Sequence, residues 1–178
     1  MDPKGISRHM LSVPMSTSRQ RRHCLAAVDV DVAVMALDPA ELPASATLQA
    51  FDESHLESLG ETVGVRDPVT TVGFPLGDSA HAPHLPLARS GAIASSFGPH
   101  FESTASFLAE IQSHPSSVGS SVVRRRSIDR TGHGLSGWQL IGIQGDDAAA
   151  GTEGSRSGLH QAWYADILMP LTDEFLRM

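Results

Sequence analysis

The run His114-Pro115-Ser116-Ser117-Val118-Gly119-Ser120-Ser121-Val122-Val123 sets four serines around one glycine. It follows the apolar, strand-like segment Phe107-Leu108-Ala109-Glu110-Ile111 and passes directly into the β-branched pair Val122-Val123. A chain reversal of this composition brings consecutive backbone N–H groups together, and such groups bind a developing oxyanion. Acyl transfer at such a loop also needs a nucleophile, a base within hydrogen-bond reach and an acid that orients the base. Position 118 is a valine, which has no proton to lose and no lone pair to attack with. Serine and glycine before a strand are also what an ordinary polar turn contains.

Other residues invite other chemistry, and each falls short. His81-Ala82-Pro83-His84 has the two-residue gap of a zinc half-site. Structural zinc needs four ligands, and the single Cys24 lies far away in sequence. No metal and no cofactor is expected. Gly132-His133-Gly134 lacks the strand, Gly-rich turn and helix of a phosphate loop, so it reads as a hairpin connection. The basic triplet Arg124-Arg125-Arg126 reads as an exposed turn.

Short strands separated by turns must position the 114–123 loop. Residues 28–37 form the first β-branched run, and Asp67–Gly77 reads as turn, strand, turn. Further strands are expected at Arg89–Ser95, Trp138–Ile143 and Gly158–Ala165, with a short helix within Ala50–Leu59. Ile167, Leu171 and Phe175 recur every four residues, which predicts a helix over 166–178. Pro170 is tolerated only in its first turn, placing the start near Met169. Alternation and β-branching assign Val72, Phe74, Ile93, Leu108, Ile111, Val122, Leu140 and Ile143 to the core.

Several of these segments, in order, resemble the bacterial trypsin-like serine peptidases. The 114–123 run resembles that family's His-Pro-Gly-x-Ser-Gly-Ser-Pro-Val motif, with His114, Pro115, Gly119, Ser120 and Val122 matching. Ser116 stands for the oxyanion-hole glycine, Val118 for the nucleophilic serine and Ser121 for the proline. Asp31-Val32-Ala33-Val34 resembles the strand carrying the triad aspartate. Val72-Gly73-Phe74-Pro75-Leu76-Gly77, Arg89-Ser90-Gly91-Ala92-Ile93-Ala94-Ser95 and Leu140-Ile141-Gly142-Ile143 resemble three further strands of the family.

The resemblance implies an all-β, chymotrypsin-type fold: a complete second antiparallel barrel, a mostly missing first barrel and a C-terminal helix. It divides the chain into a flexible arm over 1–22, a peptidase-like domain over 28–165 and the helix over 166–178. It implies Asp31 at the triad acid position and Val118 at the nucleophile position. Positions 116 and 118 would supply the oxyanion hole, and Gln112 would floor the specificity pocket. A neutral amide there does not favour Lys or Arg side chains. In the template the acid follows the base by about 45 residues and the nucleophile follows the acid by about 93. Asp31 and Val118 stand 87 positions apart, but the histidine would fall ahead of Met1. His23 is too near Asp31 to serve and reads as a surface or edge residue. Without most of the first barrel, the strand at Asp31–Leu37 is expected to be poorly held unless something covers it.

The expected function is therefore that of a serine peptidase relative that does not hydrolyse peptide bonds. A non-catalytic module binding a peptide or protein segment is a second reading of the same residues. A shortened reading frame without selected function is a third. Twenty acidic and 13 basic residues give a net charge of −7, which disfavours a nucleic-acid partner. Residues 1–22 hold Arg19, Arg21 and Arg22 and show no period. No apolar run reaches the length of a membrane span and no secretory leader opens the sequence, so a soluble, cytoplasmic chain is expected. Oligomeric state is not legible.

Overall fold

The computed structural model describes residues 22–24, 30–44, 46–56, 63–74, 86–98, 104–112, 117–126, 137–147 and 158–176. Eight strands lie in them: β1 (Arg22–Cys24), β2 (Ala33–Met35), β3 (Pro68–Gly73), β4 (Leu87–Ile93), β5 (Ser106–Ile111), β6 (Ser121–Arg125), β7 (Trp138–Asp147) and β8 (Leu159–Tyr164). Helix α1 spans Leu168–Leu176 and follows a 3₁₀ turn at Ala165–Ile167.

Strands β3 to β8 close into an antiparallel barrel in the order β3-β4-β5-β8-β7-β6, with β6 pairing back onto β3. The fourth barrel strand thus lies beside the first, the Greek-key arrangement. Closure leaves no open edge among these strands. Val69, Ile93, Phe107, Ala109, Ile111, Val122, Ile141, Ala162 and Tyr164 fill the interior together with Val63. Phe107 and Tyr164 pack on Phe97 with ring centroids 4.9 and 5.0 Å apart, and the Tyr164 hydroxyl accepts from Gly98 N at 2.9 Å. Burial of the large rings stabilises the barrel, while the phenol keeps its polar end satisfied.

Successive strand residues face opposite sides, so Val122 and Val123, between which the register with β7 shifts, point in different directions. Val122 enters the barrel interior, whereas Val123 joins Leu140 and Ala165 in a separate outer cluster. Phe51, Leu56, Trp138 and Ile143 cover that outer cluster. A 3₁₀ turn at Glu53–His55 leads into Leu56, which forms a parallel bridge with Leu140.

The ribbon β1–β2 is built differently. Arg22 pairs with Met35, His23 with Val34 and Cys24 with Ala33. Val32 is buried against Trp163, Ile167 and Leu171, with Val30 and Val34 packed beside it. A two-stranded ribbon is marginal alone, and packing on a helix is what holds it. The expected orphan strand therefore has both a backbone partner and an apolar seat. It forms only at Ala33–Met35, shorter than the β-branched run, and Arg22, placed at the end of the expected arm, opens β1. Residues 1–21, the rest of that arm, lie outside the described residues.

Ile93, Ile111, Val122 and Leu140 are buried as assigned, and Leu108 and Ile143 are half-buried. Val72 and Phe74 are corrections: they are 36% and 60% exposed. Successive strand residues face opposite sides, and Val69 fixes the phase of β3, so Thr71 points inward and Val72 outward. Arg124 and Arg125 also depart from the expected turn, since they are the last residues of β6. Of the short helix expected within Ala50–Leu59, the described residues, which end at Leu56, form the 3₁₀ turn capped by Asp52. Helix α1 begins at Leu168 and puts Pro170 in its first turn, where the missing N–H costs least. Phe175 falls in the helix, and its side chain lies outside the described residues.

Candidate functional site

The β5–β6 connection carries the sequence's main candidate for chemistry. Residues 113–116, including His114, Pro115 and Ser116, lie outside the described residues. The remainder is a tight turn. Ser120 N donates to Ser117 O at 3.0 Å, and Gly119 N donates to Gln144 O at 2.7 Å. Gln144 N returns a bond to Ser120 O at 2.8 Å. The turn is thus stitched to β7 from both directions. Gly119 has φ +85°, a region that side-chain-bearing residues avoid, so glycine is what lets the turn close here.

Val118 stands at the tip and is 54% exposed. It borders a shallow groove of about 270 Å3 lined by Val72, Gly73, Phe74, Val118, Gly119, Ser120 and Ser121. Three exposed apolar side chains therefore rim a surface whose floor is serine and backbone. Gly73 is needed at the base, because a Cβ there would overlap Ser120 Oγ.

The other predicted site residues stand apart from this groove. Asp31 is exposed and precedes Val32, which is held on α1 and Trp163. Gln112 is exposed at the end of β5, and its main-chain carbonyl accepts from Arg89 Nη1 at 2.9 Å. Neither lines the groove, and no histidine among the described residues does. His23 lies in β1 of the ribbon. His81 and His84 lie outside the described residues, and no cluster of three or more His, Cys, Asp or Glu occurs among the described ones.

One Ser–His–Asp trio escapes the sequence reading altogether. Asp52 Oδ1 is 2.6 Å from Ser54 Oγ and 2.8 Å from His55 Nδ1. In a catalytic triad one imidazole nitrogen meets the acid and the other meets the serine. Here Nδ1 is the atom near both, at 3.5 Å from Ser54 Oγ. The carboxylate also accepts from Ser54 N at 2.9 Å, so the trio is an exposed turn cap. The Ser54 hydroxyl and then the His55 ring hold the Asp52 carboxyl below its usual range. The spacing Asp-x-Ser-His carried a cap signature that could have been read from sequence.

What these observations define is a closed six-stranded antiparallel β-barrel with a C-terminal helix and a groove at one of its loops. No family model matches the chain, and no curated protein matches it. Among the described residues no helix is long and apolar enough to cross a membrane.

Proposed function

We propose that the barrel is a relative of the trypsin-like serine peptidases that has kept the loop and lost the nucleophile, so that it does not cleave peptide bonds. The observation that carries the reading is Val118 at the exposed tip of a turn pinned by Gly119 to β7. Support comes from the barrel itself, which has six antiparallel strands, and from the place of the loop between its third and fourth strands. A valine side chain cannot form an acyl-enzyme, whatever its surroundings, because it offers no heteroatom. Incubation with a fluorophosphonate probe tests the reading: the protein is expected to stay unlabelled, and stoichiometric phosphonylation of a loop serine overturns it.

Binding without cleavage is the second reading, and the exposed rim of Val72, Phe74 and Val118 favours it. An extended peptide with an apolar side chain would cover this rim. Phe74→Asp would then abolish peptide-induced shifts of the Gly119 and Ser120 amides in NMR. Shifts that persist unchanged in Phe74→Asp exclude the groove as the binding surface.

A further inference from the structure

Beneath the groove lies a smaller cavity of different chemistry, sharing Gly73 and Ser120 with it. Its volume is about 10 Å3, and Thr71, Leu87, Arg89 and Ser117 complete the lining. Thr71 is only 4% exposed, and its Oγ1 makes no hydrogen bond to the protein. An unpartnered buried hydroxyl is destabilising, and native structures rarely leave one so. A cavity holds one water when it offers about 10–15 Å3 and two or more polar partners. The volume reaches the lower bound, and Thr71 and Ser120 both line this space.

We propose that this cavity is a binding site for a single internal water, which joins Thr71 Oγ1 of β3 to Ser120 Oγ of the 117–121 turn. Its volume excludes anything larger. A methyl group in its place would leave the Thr71 hydroxyl unsatisfied. Gly73 keeps the site open, because a side chain there would displace Ser120 Oγ. The water makes Thr71 a positioning residue for the turn. It adds a cross-link on the β3 side to the backbone bonds that hold the turn on the β7 side.

A high-resolution crystal structure of the full chain, with a parallel structure of Thr71→Val, tests the site. The parent is expected to show ordered solvent density within hydrogen-bond distance of both Thr71 Oγ1 and Ser120 Oγ. Thr71→Val should lose that density, and amide exchange at Gly119 and Ser120 should accelerate about five-fold, the equivalent of one hydrogen bond. A parent structure in which Thr71 Oγ1 bonds directly to protein, or in which no density lies beside it, overturns the proposal. Density that survives in Thr71→Val overturns the role given to Thr71. If the variant does not fold, the parent structure decides alone.

Discussion

The two ends of strand β6 close the barrel in different ways. At the Arg125 end, Arg124 Nε donates to the side-chain carbonyl of fully buried Gln139 at 2.7 Å, and its Nη1 lies 3.9 Å from Asp67. Asp67 in turn accepts from Gly64 N at 2.8 Å. At the Ser121 end, Thr71 Oγ1 and Gln144 Oε1 are buried without a hydrogen bond to protein, as Gln139 Nε2 and Arg126 Nε are at the other end, but here the groove opens beside them. One end is tied side chain to side chain. The other is tied mainly through the backbone of the turn. Unpaired buried polar atoms occur at both ends, and what sets the Ser121 end apart is the groove with its exposed rim of Val72, Phe74 and Val118.

Substitutions that unpair the tied end should cost most. Arg124→Ala strands the Gln139 carbonyl in a side-chain environment only 11% exposed at Arg124. A urea melt is expected to show a loss of about 1.5–3 kcal/mol, the range for a hydrogen bond to a charged group. A loss below the error of the melt would remove the contrast between the two ends.

Gly119→Ala comes next. Nothing lies within 4 Å of the added Cβ, so the cost is conformational and comes from φ +85° alone. About 1–2 kcal/mol is expected, with the thermal unfolding temperature lowered accordingly. A neutral result would show that the turn relaxes to negative φ.

Thr71→Val, at the open end, should change global stability by less than about 1 kcal/mol, because removing a hydroxyl that bonds to no protein group strands no partner in the protein. A cost equal to that of Arg124→Ala would mean that the two ends are built alike.

The smallest effect belongs to the Asp52 cap. A carboxyl held below its usual pKa stabilises the turn above the unfolded value, near pH 3.9, and loses that contribution as pH falls through the lower folded value. The carboxyl-linked shift of the Ser54 amide in NMR should therefore have its midpoint below the ordinary carboxyl value. A transition centred above the ordinary carboxyl value would reverse the sign.

Most of the barrel was legible because its strands contrast with their turns. Ile93, Ile111 and Val122 sit in β-branched or apolar runs bounded by Gly, Ser and Pro, and all three are interior. Phase was not legible where both faces carry similar residues. In Val69-Thr70-Thr71-Val72 either alternation places one valine and one threonine inside, and only the packing of Val69 decides. The ribbon shows the opposite limit: the apolar run at 28–37 signals strand, but among the described residues only Ala33–Met35 of it pairs with β1. For the site, the position of the turn and the valine at its tip came directly from sequence. The rim did not, because alternation along the strand pattern assigns Val72 and Phe74 to the core. The two-way stitching of Gly119 and Ser120 to Gln144 joins segments about 25 residues apart, and no local pattern announces it.

The most direct measurement compares the parent protein with Val118→Ser/Ser116→Gly, which rebuilds the family motif except at Ser121. Both are treated with a fluorophosphonate probe and assayed for turnover of an activated ester. Neither is expected to react efficiently: the parent has no nucleophile at the tip, and no histidine among the described residues lines the groove to take a proton from a new serine. Loss of the serine or the histidine alone costs on the order of 10⁶ in kcat in the subtilisin case, about as much as loss of all three. Labelling of the parent at a loop serine would contradict the account, and so would turnover by the double variant that disappears when one histidine is replaced.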